Sequence, residues 1–200
     1  MDESALLKLI EKDPWMMGVL KAVQTLNLPD WWIGAGFVRS KVWDVLHNYQ
    51  ARTPLPDIDV IYFDLSDFLP ENLYTYSTPV EDGYQKRLKQ LIPDTEWSVT
   101  NQARMHIPHH TKPYKTSTEA LADWSETATC VGVSLINNKL ILSAPHGIED
   151  LVGLKLRKIP NYATKYAHNP ELFTRRVKEK NWLSKWPKLK LEEVSPRPTR

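Results

Sequence analysis

Two aspartates separated by one residue, Asp57 and Asp59, carry the clearest chemical signal in the sequence. They open an alternating run that predicts a β-strand from Asp57 to Phe63. Residues two apart on a strand point to one face, with Cα atoms about 6.6 Å apart, and carboxylates this close repel each other. Mg²⁺, or Mn²⁺ in its place, would neutralise them, so we predict that both bind catalytic metal ions. Alternatively, Asp57 is a turn residue and Asp59 an exposed strand residue, and neither binds a metal ion.

A short strand and a glycine turn precede this pair. Trp31 to Ile33 is an apolar run suited to a buried strand, and Gly34-Ala35-Gly36 supplies a tight turn before a helix that carries Arg39. Glycines let a backbone approach phosphate closely, and the helix N-terminus presents free N–H groups. We therefore predict that Gly34, Gly36 and Arg39 bind phosphate; a plain strand–turn–helix with a surface arginine is the alternative.

Two better-known glycine motifs do not fit this turn. In the dinucleotide-binding fingerprint G-x-G-x-x-G, the third glycine permits close packing of helix and strand, but Arg39 occupies that position here. The phosphate loop G-x-x-x-x-G-K-[ST] is absent from the sequence. The glycine turn and the downstream Asp-x-Asp strand therefore need a different joint explanation.

The elements that position these residues alternate between helix and strand. Apolar residues at helical spacing predict helices around Leu6–Ile10, Trp15–Val23 and Phe37–His47. A hairpin is predicted around Asn137-Asn138. Trp97 to Ile107 is predicted to be extended. This order predicts an α+β (or α/β) fold, with a small mixed sheet flanked by helices and a basic helical extension at the C-terminal end.

The 200 residues predict one domain over 1–190, with a core at about 15–160, a helical extension over 161–190 and a flexible tail over 191–200. Cys130 is the single cysteine, which excludes an internal disulfide and is typical of a reducing compartment. The sequence has no apolar run near the roughly 20 residues of a membrane span and begins without a secretory pattern. We expect a cytoplasmic protein without a membrane partner.

Charge is unevenly distributed along the chain. Residues 1–150 carry a net charge of −7, and residues 151–200 carry +9, which together give the total of +2. The basic run from Arg175 to Lys180 therefore suggests either an RNA-binding surface or a solvated helical face.

Several stretches resemble known motifs. Residues 35–40, Ala-Gly-Phe-Val-Arg-Ser, are similar to the Gly-Gly-x-Val-Arg-Asp motif of tRNA CCA-adding enzymes and bacterial poly(A) polymerases, and Asp57-Ile58-Asp59 is similar to their Asp-x-Asp. Over roughly residues 15–190 the chain more closely resembles an uncharacterised bacterial family of nucleotidyltransferases in the polymerase-β-like superfamily. This closer resemblance is carried by Gly36–Arg39, Val42–Asp44, His47, Thr53–Leu55, Asp57–Asp64, Asn101–His106 and Ala144–Leu151.

The resemblance implies the polymerase-β-like fold and transfer of a nucleoside monophosphate from a nucleoside triphosphate to a hydroxyl, with release of pyrophosphate. The acceptor stays open between an RNA end, a small molecule and a protein hydroxyl. Asn101 and Arg104 lie in an unusually polar stretch and are predicted to line the nucleotide cleft, with a structural hydrogen-bond network as the alternative.

The sequence departs from the family pattern at Ala35 and Ser40, and at the third carboxylate of the superfamily. Ser98 occupies the position where relatives often carry glutamate. Glu96 shares the face of Ser98 if the strand is regular, and Asp64 is a weaker candidate. Without a third carboxylate, metal binding would persist but activation of the attacking hydroxyl would weaken. A catalytically impaired nucleotide-binding or regulatory protein, or an RNA-binding module on the same fold, is the alternative function.

Overall fold

The computed structural model describes residues 1–67, 77–108 and 111–192. Its helices are α1 (Glu3–Glu11), α2 (Pro14–Gln24), α3 (Gly36–Leu46), α4 (Pro79–Leu91), α5 (Ser117–Ala122), α6 (Glu149–Val152), α7 (Tyr162–Lys165), α8 (Leu172–Glu179) and α9 (Trp182–Lys185). Its strands are β1 (Trp32–Gly34), β2 (Ile58–Tyr62), β3 (Trp97–Asn101), β4 (Gly132–Ile136), β5 (Lys139–Ser143), β6 (Lys155–Arg157) and β7 (Lys190–Glu192). None of the helices in these ranges is both long and apolar enough to cross a membrane.

Within the described ranges, five strands form a mixed sheet in the order β3-β2-β1-β4-β5. β2 and β3 are parallel, whereas the other neighbours are antiparallel. The parallel register sets Asp59 directly opposite Ser98. A separate parallel pair joins β6 to β7. The fold is therefore of the α+β class that the sequence predicted, with a small mixed sheet flanked by helices.

Strand alternation gives the sheet two different faces. Ile58, Val60 and Tyr62 of β2 are buried in the main hydrophobic core, which also takes in residues of α1 to α4. Asp59 and Ile61 point to the opposite face, because successive side chains on a strand alternate. Ile61 packs there with Trp32 in a smaller apolar cluster. The acidic residue of β2 therefore faces away from the main core.

The C-terminal helices are anchored on α3 by tryptophan packing. Trp43 of α3 makes edge-to-face contacts with Trp182 and Trp186, at ring-centroid distances of 5.9 and 5.0 Å. Such aromatic pairs contribute about 0.5–1.5 kcal/mol beyond their burial. The Trp186 indole also donates a hydrogen bond of 2.8 Å to Asp44. This packing places α9 beside the C-terminal half of α3.

Most predicted elements are present, with differences in their bounds. The hairpin is confirmed, and Asn137 and Asn138 both have positive φ (50° and 60°), which suits a tight two-residue turn. β3 ends at Asn101, so the predicted extended segment is shorter, and turns follow it. The predicted tail began at residue 191, but residues 191 and 192 belong to β7. Residues 193–200 lie outside the described residues.

Gly34 ends β1 where the Trp124 ring leaves no room for a side chain. A Cβ at Gly34 would lie 2.7 Å from Cη2 of Trp124. We expect Gly34→Ala to lower the free energy of unfolding by about 1–3 kcal/mol, because overpacking forces the ring or the strand to move. Urea unfolding at equilibrium measures this loss. 

Gly18 is the matched control for this substitution, because it is exposed in α2 and a Cβ there meets nothing within 4 Å. Gly18→Ala is expected to raise stability by about 0.5–1 kcal/mol, since alanine restricts the unfolded chain more than glycine does. Equal effects of the two substitutions would contradict the packing explanation.

Candidate active site

Asp57 and Asp59 lie at the start of β2, and both line one cleft. Asp57 immediately precedes the strand, and Asp59 is its second residue. Both side chains are half-buried. Ser98 on the neighbouring strand is paired in register with Asp59, and the interaction with its hydroxyl acts to lower the pKa of Asp59. The predicted aspartate pair is therefore assembled at one end of β2.

Nearby positive charges only partly offset the cost of burying the two aspartates side by side. Burial, followed by the charge of Asp57, raises the pKa of Asp59 to about 6, whereas Arg39, Lys180 and the Ser98 hydrogen bond act in the opposite direction. Among residues 1–67, 77–108 and 111–192, no group of three His, Cys, Asp or Glu side chains is placed to hold a metal ion. Two carboxylates nevertheless suit Mg²⁺, which usually completes its shell with water and substrate phosphate. The donor set therefore fits Mg²⁺ or Mn²⁺, which the two carboxylates would hold.

The turn before α3 faces the same cleft. Ala35 adopts φ 45° and ψ −111°, a conformation that glycine adopts more easily, and it precedes the first residue of α3 without a side-chain cap. The first turn of α3 carries no acidic residue. A Cβ at Gly36 would make only ordinary contacts, beginning at 3.7 Å with Leu55. The backbone N–H groups and positive dipole end of α3 are thus open to an anion.

Arg39 places a buried positive charge beside this helix end. Its guanidinium carbon lies 4.5 Å from the ring centroid of Trp182 and 5.2 Å from that of Trp43. Burial lowers the pKa of Arg39 to about 10, while the charges of Glu126, Asp59 and Asp57 oppose that shift. Its Nε has no hydrogen-bond partner within the described part of the chain. A buried cationic donor with unused hydrogen-bonding capacity is suited to a phosphate oxygen.

The C-terminal helices add further cations to the cleft. Arg176 and Lys180 are four residues apart, so they share one side of the helical segment, and Lys185 lines the cleft from α9. Arg176 is held by Glu126, a fully buried carboxylate, through an Nε–Oε1 hydrogen bond of 2.8 Å. Ser125 and Thr129 also donate to Glu126. These contacts, led by the Arg176 charge, hold the pKa of Glu126 below its usual value despite burial.

Two adjoining clefts meet at Asp59, Ala35 and Arg176. The smaller has a volume of about 260 Å³ and contains the glycine turn, both aspartates and the cations described above. The larger, of about 410 Å³, lies on the sheet face that carries Ser98 and Thr100. Asp59 therefore lies between the smaller cleft, which is rich in cations, and the larger cleft, which is lined by Ser98 and Thr100.

A family model described as "Nucleotidyltransferase" matches residues 21–191 of the chain. The chain belongs to this nucleotidyltransferase family. The predicted family is thereby confirmed, and the matched region includes the glycine turn, the aspartate pair and the C-terminal helices. A search of curated proteins finds no match.

Solved structures support the fold of this nucleotidyltransferase. A protein described as revealing "a CCA-adding enzyme head domain" by NMR matches with a TM-score of 0.80 and 30% identity, over 96% of this chain and 97% of its own. A CCA-adding enzyme in complex with CTP matches at 0.58 and 15% identity, over 97% of this chain and 44% of its own. The Thermotoga maritima CCA-adding enzyme with tRNA matches at 0.54 and 17% identity, over 98% and 44%. The chain thus spans less than half the length of these two CCA-adding enzymes. The match to the head domain confirms the predicted polymerase-β-like fold.

Asn101 and Arg104 do not line either cleft. Asn101 is buried and exchanges hydrogen bonds with the backbone of Asp64. Arg104 forms a buried ion pair of 2.5 Å with Glu81, which also accepts from the Asn101 backbone. This is the structural hydrogen-bond network that the sequence left as the alternative. Gly34 also lines neither cleft and packs against Trp124, so the contacts of all three residues support structural roles.

The candidates for a third carboxylate also lie elsewhere. Glu96 precedes β3, is 74% exposed and pairs with Lys89 at 2.5 Å. Asp64 accepts hydrogen bonds from the backbone and hydroxyl of Ser66 in the turn after β2. Ser98 occupies the position facing Asp59. Neither Glu96 nor Asp64 lines the two clefts that contain Asp59.

Glu126, Arg176 and Lys180 were not predicted as parts of this site. The basic run that contains Arg176 and Lys180 was interpreted as an RNA-binding surface or a solvated helical face. The four-residue spacing of these cations, flanking the buried Phe173 and Val177, was the available signal that one side of the helix faces the protein. Glu126 lies in a polar stretch without a distinctive motif, and no sequence signal connects it to Arg176.

Proposed function

We propose that this nucleotidyltransferase moves a nucleoside monophosphate from a nucleoside triphosphate to a hydroxyl of an acceptor, with release of pyrophosphate. The observation that carries the proposal is the buried Arg39 guanidinium, with an unpartnered Nε, beside the uncapped start of α3 and the aspartate pair. Positive donors and a negative metal-ligating pair in one cleft match a triphosphate with its divalent ion.

In this proposal, each group has a distinct task. Asp57 and Asp59 hold Mg²⁺ or Mn²⁺, which when bound neutralises phosphate charge. The open N–H groups of α3 and Arg39 orient the terminal phosphates, and Lys180 adds a second positive charge across the cleft. Fixed donors stabilise the charge that develops on the leaving pyrophosphate without reorganising during the reaction.

The direct test uses each of the four α-³²P-labelled nucleoside triphosphates with Mg²⁺ or Mn²⁺ and a cell extract. We expect label to pass to an acceptor with matching release of pyrophosphate, and no transfer by Asp57→Ala. Full activity in Asp57→Ala would disprove the metal assignment.

Ser98 favours a second candidate function, a nucleotide-binding or regulatory protein without turnover. A serine cannot replace the third carboxylate as a metal ligand of equal charge, although its hydroxyl favours the ionised form of Asp59. Binding of a triphosphate with Mg²⁺, but no pyrophosphate release with any acceptor fraction, would favour this candidate. Salt-dependent RNA binding without triphosphate binding would instead favour an RNA-binding module.

Arg39→Met tests the phosphate site by binding alone. Methionine retains much of the apolar contact with Trp43 and Trp182 but removes the charge. We expect the Kd of the Mg²⁺–triphosphate complex to rise by about 10–100-fold, the range for losing a charge-assisted hydrogen bond. Calorimetric titration measures this change.

Arg87→Met is the control for that measurement. Arg87 is an exposed arginine whose Nη2 donates a hydrogen bond to the Thr25 carbonyl, and it lines neither cleft. Its substitution is expected to leave triphosphate affinity unchanged. An equal loss in both variants would show that general positive charge, not the buried Arg39, determines binding.

A further inference from the structure

The larger cleft differs in chemistry from the cationic one. Apart from His168, the titratable side chains among its described lining residues are Asp59, Tyr166 and Arg176, and Arg176 is already paired with Glu126. The remaining polar groups include the hydroxyls of Ser98, Thr100 and Ser125. Within the described residues, this surface offers neutral donors and acceptors and lacks the several lysines or arginines that bind successive phosphates of a nucleic acid.

Aromatic side chains complete the larger cleft. Trp124 and Tyr166 line it, and the Tyr166 hydroxyl is engaged with the Asp123 carbonyl, so the ring is what Tyr166 can offer. Gln102 adds an amide at the end of β3. A volume of about 410 Å³ lies in the usual range for a small-molecule site, and hydroxyls beside aromatic rings suit a hydroxylated ring compound.

The position of Asp59 relates this cleft to the reaction. In phosphoryl transfer, the attacking and leaving oxygens lie roughly in line on opposite sides of the phosphorus. The cationic cleft attracts the leaving pyrophosphate to one side of Asp59, so the attacking hydroxyl must approach from another. The larger cleft adjoins Asp59 and opens on the sheet face away from the main core.

We propose that the larger cleft binds the acceptor, a small uncharged molecule that carries a hydroxyl on a ring, of which a sugar or a nucleoside has suitable chemistry. This inference rests on the proposed function. The acceptor oxygen forms a bond to the α-phosphorus, the bond from that phosphorus to the bridging oxygen of the β-phosphate breaks, and pyrophosphate leaves. The hydroxyl proton passes to water in the cleft.

The test fills the larger cleft from two walls with Thr100→Trp on β3 and Leu172→Trp on α8. Ile136→Trp is the control, because Ile136 is 52% exposed at the hairpin and lines neither cleft. Each variant and the parent chain are incubated with the α-³²P triphosphates, Mg²⁺ and either the filtrate below about 1 kDa, the RNA or the protein of an extract. The Kd of each Mg²⁺–triphosphate complex is measured in parallel.

We expect label in the filtrate products, a loss of transfer of at least about tenfold in both cleft variants, and unchanged triphosphate affinity, the pattern of lost acceptor binding. The mass of the labelled product then distinguishes a nucleoside from a sugar. Label in RNA or protein, or in no fraction although triphosphate binds, overturns the proposal. Weaker triphosphate binding in both cleft variants would instead assign the cleft to the base of the triphosphate. Failure of the parent chain to bind any triphosphate would refute the proposed function itself.

Discussion

Replacing Asp59 with asparagine is expected to abolish nucleotidyl transfer while raising the free energy of unfolding at neutral pH. Burial and the Asp57 charge raise the pKa of Asp59 to about 6, from 3.8 for an unperturbed aspartate. Above pH 6 the folded chain must hold an ionised carboxylate in an unfavourable environment. Asparagine removes that charge, together with a ligand of the proposed metal site.

The pH dependence follows from linkage. Between about pH 6 and pH 4 the folded state binds a proton that the unfolded state does not, so the contribution of Asp59 to stability improves as the pH falls. The gain from Asp59→Asn should therefore be greatest above pH 6, at roughly 1–2 kcal/mol for a half-buried group, and should vanish towards pH 4. Urea unfolding at a series of pH values measures the difference between the parent chain and the variant.

Mg²⁺ provides the complementary measurement. An ion that binds the folded chain stabilises it by mass action, so Mg²⁺ should raise the Tm of the parent chain and leave that of Asp59→Asn unchanged. Asp94→Asn, at an exposed position outside both clefts, is the control. If Asp59→Asn were less stable than the parent chain at pH 7.5 and still transferred nucleotide, the electrostatic account of the pair would be wrong.

The parts of the site that the sequence predicted are those fixed by local periodicity. Asp57 and Asp59 share a face because strand geometry requires it, and Gly36 and Arg39 are one helical turn apart in a segment with strong helical spacing. The family resemblance indicated that these residues belong to one site. The family model matches residues 21–191, which include all of them. The local sequence pattern was therefore sufficient to predict site residues that lie within a few positions of one another in the chain.

The predicted residues that lie outside the two clefts, and the site residues that were not predicted, all depend on partners distant in the chain. Asn101 and Arg104 looked available for a ligand, but Glu81, twenty or more positions away, accepts hydrogen bonds from both residues. Glu96 was placed beside Ser98 by assuming a regular strand, whereas β3 begins one residue later and Lys89 attracts the carboxylate. Composition and periodicity do not specify such long-range pairing.

The Glu126–Arg176 pair is expected to contribute more to stability than any exposed ion pair of the described structure. Glu126 is fully buried, and its two oxygens accept from Ser125, Thr129 and Arg176. Glu126→Gln keeps the shape but leaves the Arg176 guanidinium without its counter-charge. We expect a loss of about 3 kcal/mol, near the lower end of the range for breaking one partner of a buried ion pair, because Arg176 is partly exposed.

A double-mutant cycle separates the pair from general packing. Arg176→Met should be similarly destabilising, since it leaves a buried carboxylate uncompensated, and the double variant Glu126→Gln/Arg176→Met should lose less than the sum by at least about 1 kcal/mol. Glu96→Gln, in the exposed pair with Lys89, is the control and should change stability by less than about 0.5 kcal/mol. Glu96→Gln should also retain full transfer activity, because Glu96 lines neither cleft with Asp59.

The same cycle joins stability to the proposed reaction. Arg176 lines both clefts, so loosening it by Glu126→Gln should also raise the Kd of the Mg²⁺–triphosphate complex, although Glu126 lines neither cleft. Titrations well below the melting temperature of each variant measure this effect on folded protein. Additive losses in the cycle, or unchanged affinity in Glu126→Gln, would mean that Glu126 does not position Arg176 for phosphate. Non-additive stability with weakened binding would instead place this buried carboxylate among the residues that orient the charge of the site.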